Sequence, residues 1–224
     1  MKIKTILLYV LGIIPTIVSC QSNTSNINKY EIQNAVLVSI PIELELRNDN
    51  SDIAKAVNNY RDEYNRNNVQ KIGKSQLVFQ PTGTNNNEKK AIADDTRITI
   101  AYFKNERNVF PKWNDNLNNQ VTEELNQFLK KEFLQIMEDM PFQTTLIKWS
   151  PIEVGKINNQ SYLKTSVVYQ EDYDNKKQAY SESYHFFNQN EKVILTLVTD
   201  FPVQQIWGKA FDITLNTINF KNKK

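Results

Sequence analysis

Reactive side chains are scarce in this chain, and their scarcity decides much of the chemistry open to it. Among 224 residues there is one Cys, Cys20, and one His, His185. A single thiol excludes an internal disulfide and any multi-cysteine metal site, and a single imidazole excludes poly-histidine zinc chemistry. His185 sits in Tyr184-His185-Phe186-Phe187 and shares strand parity with Ser181 and Ser183. Hydrolysis by a Ser–His pair needs an acid, a base and a nucleophile converging on one point. Same-face neighbours along one strand do not converge, so His185 reads as a sheet residue and no catalytic residue is assigned.

Carboxylates offer the remaining chemistry. Glu43 and Glu45 are two residues apart in an alternating segment. That spacing sets their backbones about 6.6 Å apart, inside the range of about 5–9 Å used by paired carboxylates in glycoside hydrolysis. A carboxylate-based envelope hydrolase or small-ligand binder is therefore an alternative, although a solvent-facing strand also carries Glu for no chemical reason. Asp172-Tyr173-Asp174-Asn175 resembles the start of a calcium loop but lacks its turn glycine and distal glutamate. Asp94-Asp95 is the other dense oxygen cluster. Hairpin turns account for both, and no metal site is assigned. The five glycines never group into a phosphate-binding loop, so no cofactor is assigned either.

Cys20 has a different context. Met1 to Lys4 is a short basic segment, and Ile6 to Val18 is a compact apolar run. A spanning helix needs about 20 apolar residues, so this run reads as the core of an export signal. It ends in Ile17-Val18-Ser19-Cys20, which resembles a bacterial lipobox: a branched apolar residue, a small residue, then cysteine. The expectation is a signal peptide over residues 1–19, with Cys20 lipidated after cleavage. The partner there is membrane lipid, reached through the acylated Cys20. Each buried CH2 is worth about 0.8 kcal/mol, so two or more acyl chains anchor a protein stably. Ser22 stands shortly after the cysteine in place of an Asp, resembling lipoproteins released to the outer membrane of Gram-negative bacteria. Residues 20–29 are polar and without period, and read as a flexible tether.

The chain carries 27 basic and 25 acidic residues. Lys2 and Lys4 account for that whole surplus, so the exported part is neutral and has no nucleic-acid footprint. Its basic residues occur as isolated pairs among acids. Among the aromatics, Tyr102 and Trp149 read as core. Phe110 and Trp113 lie in a polar stretch and are the candidate partner-facing residues.

These side chains need elements to position them. Residues 35–46 alternate, with Val36, Val38, Ile40, Ile42, Leu44 and Leu46 on one parity; Pro41 puts an edge or a bulge there. A helix is expected over 51–66 with Ile53, Val57, Tyr60 and Tyr64 on one stripe. Strands follow at 75–80 and 97–103, with a connection at 82–95 between them. The best helical pattern is 117–139, where Leu117, Val121, Leu125, Phe128, Leu129, Phe133, Ile136, Met137 and Met140 form a wide stripe. Strands are expected near 145–154, 161–170, 179–187 and 192–199, separated by short turns that imply antiparallel neighbours. The last of these is apolar on both parities and so central. A closing helix starts at Pro202, with Val203, Ile206, Trp207, Ala210, Phe211, Thr214 and Ile218 inward. The expected order is β-α-β-β-α-β-β-β-β-α, one α+β domain over residues 30–220.

Three stretches carry a family resemblance. They are Ser161 to Thr165 followed by Tyr184 to Phe187, then Val193 to Thr199, then Trp207 with Phe211 to Phe220. Together they resemble the PsbP/Mog1-like family, here in the form of a Bacteroidota-like envelope lipoprotein. The resemblance implies an α+β fold, a central antiparallel sheet flanked by helices on both faces. Relatives include photosystem subunits, a nuclear transport factor that binds a small GTPase, and bacterial envelope lipoproteins. The role implied is binding or assembly rather than catalysis, and no functional residue carries over. The expected function is thus a membrane-anchored envelope lipoprotein with a non-enzymatic protein-binding role and a protein partner. An immunity or inhibitor lipoprotein is a further alternative.

Overall fold

At Pro41 the chain leaves one sheet and turns into another. The computed structural model describes residues 26–48, 77–93, 95–104, 119–138, 143–171 and 177–221, with single helical positions at Lys55, Asn59, Asp62, Glu63 and Arg66. Strands β1 (Ile27–Ile32), β2 (Val36–Pro41) and β10 (Asn219–Phe220) form a small antiparallel sheet in the order β1-β2-β10. After the turn at Ile42-Glu43, β3 (Leu44–Leu46) starts a seven-stranded sheet. It continues with β4 (Leu77–Pro81), β5 (Arg97–Lys104), β6 (Thr144–Ile157), β7 (Gln160–Glu171), β8 (Lys177–Asn188) and β9 (Glu191–Asp200). Its spatial order is β3-β4-β5-β9-β8-β7-β6, antiparallel throughout.

This corrects the single strand expected over 35–46. Val36, Val38 and Ile40 are buried as the alternation requires, but Ile42 is exposed and Leu44 is buried in the second sheet. Proline has no N–H to continue a ladder, so the period-two pattern spans two strands. The tether expected over 20–29 also ends early. Ile27, Asn28 and Lys29 are the first residues of β1, paired with Pro41, Ile40 and Ser39. They close the open edge of β2, and Tyr30 then packs its ring edge-on against Phe79 at 4.8 Å.

The connection expected over 82–95 contains a 3-10 turn at Thr84–Asn86 and a short helix, α1 (Lys89–Ala93). Gly83 makes that turn possible: its φ of 101° is left-handed, and its carbonyl accepts the N–H groups of Asn86 and Glu88. The helix expected over 51–66 is helical at its described positions, all of them exposed. Its apolar stripe lies outside the described residues.

Two longer helices cover opposite faces of the large sheet. On one face, Ile98, Ile100, Tyr102, Tyr184, Phe186, Val193, Leu195 and Leu197 form the main core. They pack with Trp207, Phe211 and Leu215 of α3 (Gln204–Leu215) and with Val36, Val38, Ile40 and Phe220 of the small sheet. On the other face, Met137 of α2 (Asn119–Glu138) joins Val167, Tyr169 and Ala179, with Phe133 and Trp149 packed against them. The fold is α+β, an antiparallel sheet with a helix on each face.

Register follows from the turns. Asn158 and Asn159 both have positive φ in the two-residue β6–β7 hairpin, where asparagine tolerates the left-handed region. β9 is central, between β5 and β8. Val193, Leu195 and Leu197 are fully buried on one face, while Ile194, Thr196 and Val198 are half-buried on the other. In α3 the buried arc runs through Trp207, Phe211, Thr214 and Leu215. That turns Ile206 outward at 66% exposure, against its expected inward position. The wide stripe expected on α2 is likewise only partly used: Met137 is buried, but Phe128 and Val121 are exposed.

Candidate functional site

The main-core face of the large sheet is covered by α3 and the small sheet, but its β6–β7 side forms a ledge beside α3. Strand pairing places the ledge residues. Glu153 of β6 lies opposite Lys164 of β7, which lies opposite Tyr184 of β8. Ser166 lies opposite Glu182, and Val168 opposite Tyr180. Period two puts Tyr180, Glu182 and Tyr184 on one face of β8, so a Tyr-Glu-Tyr row meets Lys164 diagonally.

Glu182 is the centre of this group. Lys164 Nζ donates to its Oε1 at 3.0 Å, and the Tyr180 hydroxyl donates to its Oε2 at 2.8 Å. The Tyr184 hydroxyl bonds it as well. Lys164 also reaches Glu153 Oε2 at 3.6 Å and lies 5.6 Å from the centre of the Tyr184 ring. Burial alone would lower the Lys164 pKa, but the bond and charge of Glu182, then the charge of Glu153, outweigh it and raise the pKa. Burial and the adjacent Glu182 push both Tyr180 and Tyr184 up. All three groups therefore keep their protons.

Helix α3 supplies the ledge wall. Phe211 packs edge-on against Tyr184 at 5.8 Å, and Tyr184 tilts against Tyr162 at 5.0 Å. One residue beyond Phe211, the exposed Asp212 is held above the usual carboxylate range, first by burial and then by the charge of Glu182, with Lys164 pulling the other way. Two glycines shape the surface. The Tyr162 ring lies over Gly155 so closely that a Cβ there would stand 2.6 Å from its hydroxyl. On α3, a Cβ at Gly208 would meet nothing within 4 Å. At the far end, Asn158 Nδ2 donates to the Asn216 carbonyl at 2.6 Å and ties the β6–β7 turn to the end of α3.

The residues singled out by the sequence fall elsewhere. Cys20, Phe110, Trp113, Asp94, Asp172, Asp174 and Asn175 lie outside the described residues. Glu43 and Glu45 fall in different elements. Glu43 is in the exposed turn, and Glu45 accepts the Asn85 backbone N–H at 2.6 Å. Asp95 makes a solvent-exposed contact with Arg97 at 3.8 Å. His185 is on the opposite face from the ledge, between Leu163 and Ile194. Burial, then the charge of Lys192, pushes its pKa down to about 4. Ser183 bonds Thr196 at 2.8 Å. Trp149 donates to Asn126 Oδ1 of α2 at 2.8 Å, as a core residue would. Tyr102 donates to the buried Glu191 at 2.8 Å, and burial pushes it up to about 12.

The sequence reading missed Lys164, Glu182 and Asp212. The available signal was the parity of β8. Ser181, Ser183 and His185 drew attention to one face, while Tyr180, Glu182 and Tyr184 occupy the other. Among the described residues, no three His, Cys, Asp or Glu side chains gather as a metal ligand set.

No family model matches the sequence, and no curated protein matches it. Solved structures are similar to it in fold. One is cyanobacterial PsbP from Synechocystis sp. PCC 6803, 9% identical over 88% of this chain and 93% of that chain, with a TM-score of 0.47. Another is LpqN, described as involved in cell envelope biogenesis of Mycobacterium tuberculosis, 10% identical over 88% of this chain and 92% of that chain, with a TM-score of 0.45. A third is a Bacteroides thetaiotaomicron protein, 9% identical over 84% of this chain and 46% of that chain, with a TM-score of 0.41. The first bears the name of the family that Tyr162 to Phe220 resemble. At such identities the likeness is one of fold, and no role follows from it.

Proposed function

We propose that this chain is a lipid-anchored cell-envelope protein that binds another protein and performs no chemistry of its own. The anchoring rests on the sequence Ile17-Val18-Ser19-Cys20 at the end of the apolar run. Among the described residues, no helix is long and apolar enough to cross a membrane. Acylation of Cys20 would then be the attachment, in the outer membrane of a Gram-negative envelope.

The observation that carries the binding role is the ledge. It sets aromatic rings and carboxylates on one side of the sheet, with both oxygens of its central carboxylate bonded by protein donors. A carboxylate so held presents a fixed charge to a partner: Lys164 and the Tyr180 hydroxyl each bond a different oxygen of Glu182, and Lys164 is held protonated.

Two measurements test the two halves. Metabolic labelling with an alkyne fatty acid should mark the full chain and lose the mark in Cys20→Ala, which should also leave the membrane fraction. Retention of label in that variant contradicts the anchor. Crosslinking in intact envelopes should return a specific protein adduct above background. Its absence in repeated trials contradicts the binding role.

A further inference from the structure

The ledge carries a surplus of negative charge. Glu153 and Glu182 both contact Lys164, and Asp212 lies within its electrostatic reach, so among the described residues these three acids share Lys164 as their cation. Lys148, on the same face of β6 but opposite Val168, marks where the acidic stretch ends. From this geometry we infer that the ledge between α3 and β6 docks an extended segment of the partner protein bearing an arginine or lysine. The cation would sit between Asp212 and Glu153, beside the rings of Tyr162 and Tyr184. This deepens the proposed function and rests on its partner-binding reading.

Charge complementarity picks the sign of the occupant. Three carboxylates against one amine favour a cation, and Asp212, its pKa raised first by burial, also feels the charge of Glu182. Asp212 has an electrostatic neighbour in Lys164, but that amine is already clamped by Glu182 at 3.0 Å. The Tyr184 ring already carries one ammonium near its face, so the site shows in miniature how it takes a cation.

Shape picks a polypeptide over a small ion. The carboxylates do not converge into a metal ligand set. A free amine needs a concavity that buries most of its surface, whereas this surface is a ledge walled on one side by α3. Gly208 leaves space along that wall.

The outer edge of β6 offers a competing mode, in which a partner strand would extend the sheet. Pro151 and two register shifts, at Leu146/Lys148 and Ser150/Glu153, interrupt that edge. The Ile152 N–H is also taken by Asn126 Oδ1 at 3.2 Å. Such features block strand addition, so the segment lies across the face rather than along the edge.

The test uses the full chain in neutral detergent and a capped tetra-arginine peptide, with binding followed calorimetrically. The peptide should bind wild type. Asp212→Asn and Glu153→Gln should each weaken it about two- to fivefold, as exposed charge pairs do. Raising the salt from 0.05 to about 0.5 M should weaken it further. A control, Glu123→Gln with Glu124→Gln on the exposed face of α2, should leave it unchanged.

No binding, equal loss in the control, or equally tight binding of spermine would overturn the inference. The spermine result would indicate a generic polycation surface. In envelopes, a crosslinked partner captured equally by wild type and the Asp212→Asn, Glu153→Gln double variant would overturn the surface while leaving the partner-binding reading intact. Capture of no partner at all would count against that reading, and the peptide data would then decide the surface alone.

Discussion

Lys164 and Glu182 are not direct strand partners, yet they meet diagonally across β7 and β8 at 3.0 Å with side chains only 20% and 14% exposed. A pair so covered is held in one geometry by its surroundings. Here those are the hydroxyls of Tyr180 and Tyr184 and a second carboxylate on Lys164, that of Glu153. The same arrangement fixes the β7–β8 face and leaves Asp212 as the acid with least compensation.

Removing one partner of this pair strands the other. Glu182→Gln is expected to lower the unfolding free energy by about 1–3 kcal/mol, because three donors lose a charged acceptor. A double-mutant cycle with Lys164→Met, read from urea midpoints, should show clear coupling between the two positions. Additive losses would mean the pair is not energetically linked.

Asp212 should behave in the opposite sense. Its pKa is raised in the fold, so the folded state holds its proton more tightly than the unfolded chain does. The ionised form therefore costs stability once the pH is above that raised value, and the cost disappears below the unfolded value. Asp212→Asn should raise the melting temperature slightly at pH 7 and weaken peptide binding at the same time. A drop in melting temperature would show that Asp212 supports the fold.

His185 supplies a second pH effect. Its pKa is pushed down to about 4 in the fold, against about 6.5 in an unfolded chain. The unfolded state binds the extra proton between those values, so stability falls as pH drops from about 6.5 to 4. Thermal melts across that window should show a shallower fall in His185→Gln than in wild type. Identical slopes would mean the ring gains solvent or a partner on protonation.

Gly155 tests the packing of the ledge floor. A Cβ there would lie 2.6 Å from the Tyr162 hydroxyl and 2.8 Å from its ring. Gly155→Ala should cost about 1–3 kcal/mol as overpacking does. The cost should shrink in a Tyr162→Ala background, where the obstructing ring is gone.

Much of the fold is legible in the sequence because periodicity survives burial on one face. Ile98, Ile100 and Tyr102 alternate, and all three are buried in β5. The asparagines at 158 and 159 mark a hairpin, and they form one. Failures come where a local pattern hides a long-range choice. The alternation from Val36 to Leu46 runs unbroken through Pro41, but its two halves serve different sheets. Ile27 to Lys29 look polar because β1 is an edge strand, with most of its side chains outside the core. In α3, Ile206 fits the helical stripe, but contact with β2 and β9 fixes the rotation that exposes it.

The candidate site was less legible, for a related reason. In β8 the rare residue is His185, and it lies on the face opposite Tyr180, Glu182 and Tyr184. Asp212 and Glu153 are unremarkable alone. They matter because both act on Lys164 of β7, a relationship between residues about 60 positions apart that no local window contains.

Site-specific photocrosslinking in the native envelope tests the central claim most directly. A benzophenone side chain at Gly208, where a Cβ meets nothing within 4 Å, would stand on the ledge wall. A second at Lys130, on the exposed face of α2, would serve as the reference. A discrete protein adduct is expected from position 208, reduced by Asp212→Asn and absent at position 130. No adduct at 208, or the same adduct at both positions, would contradict the claim.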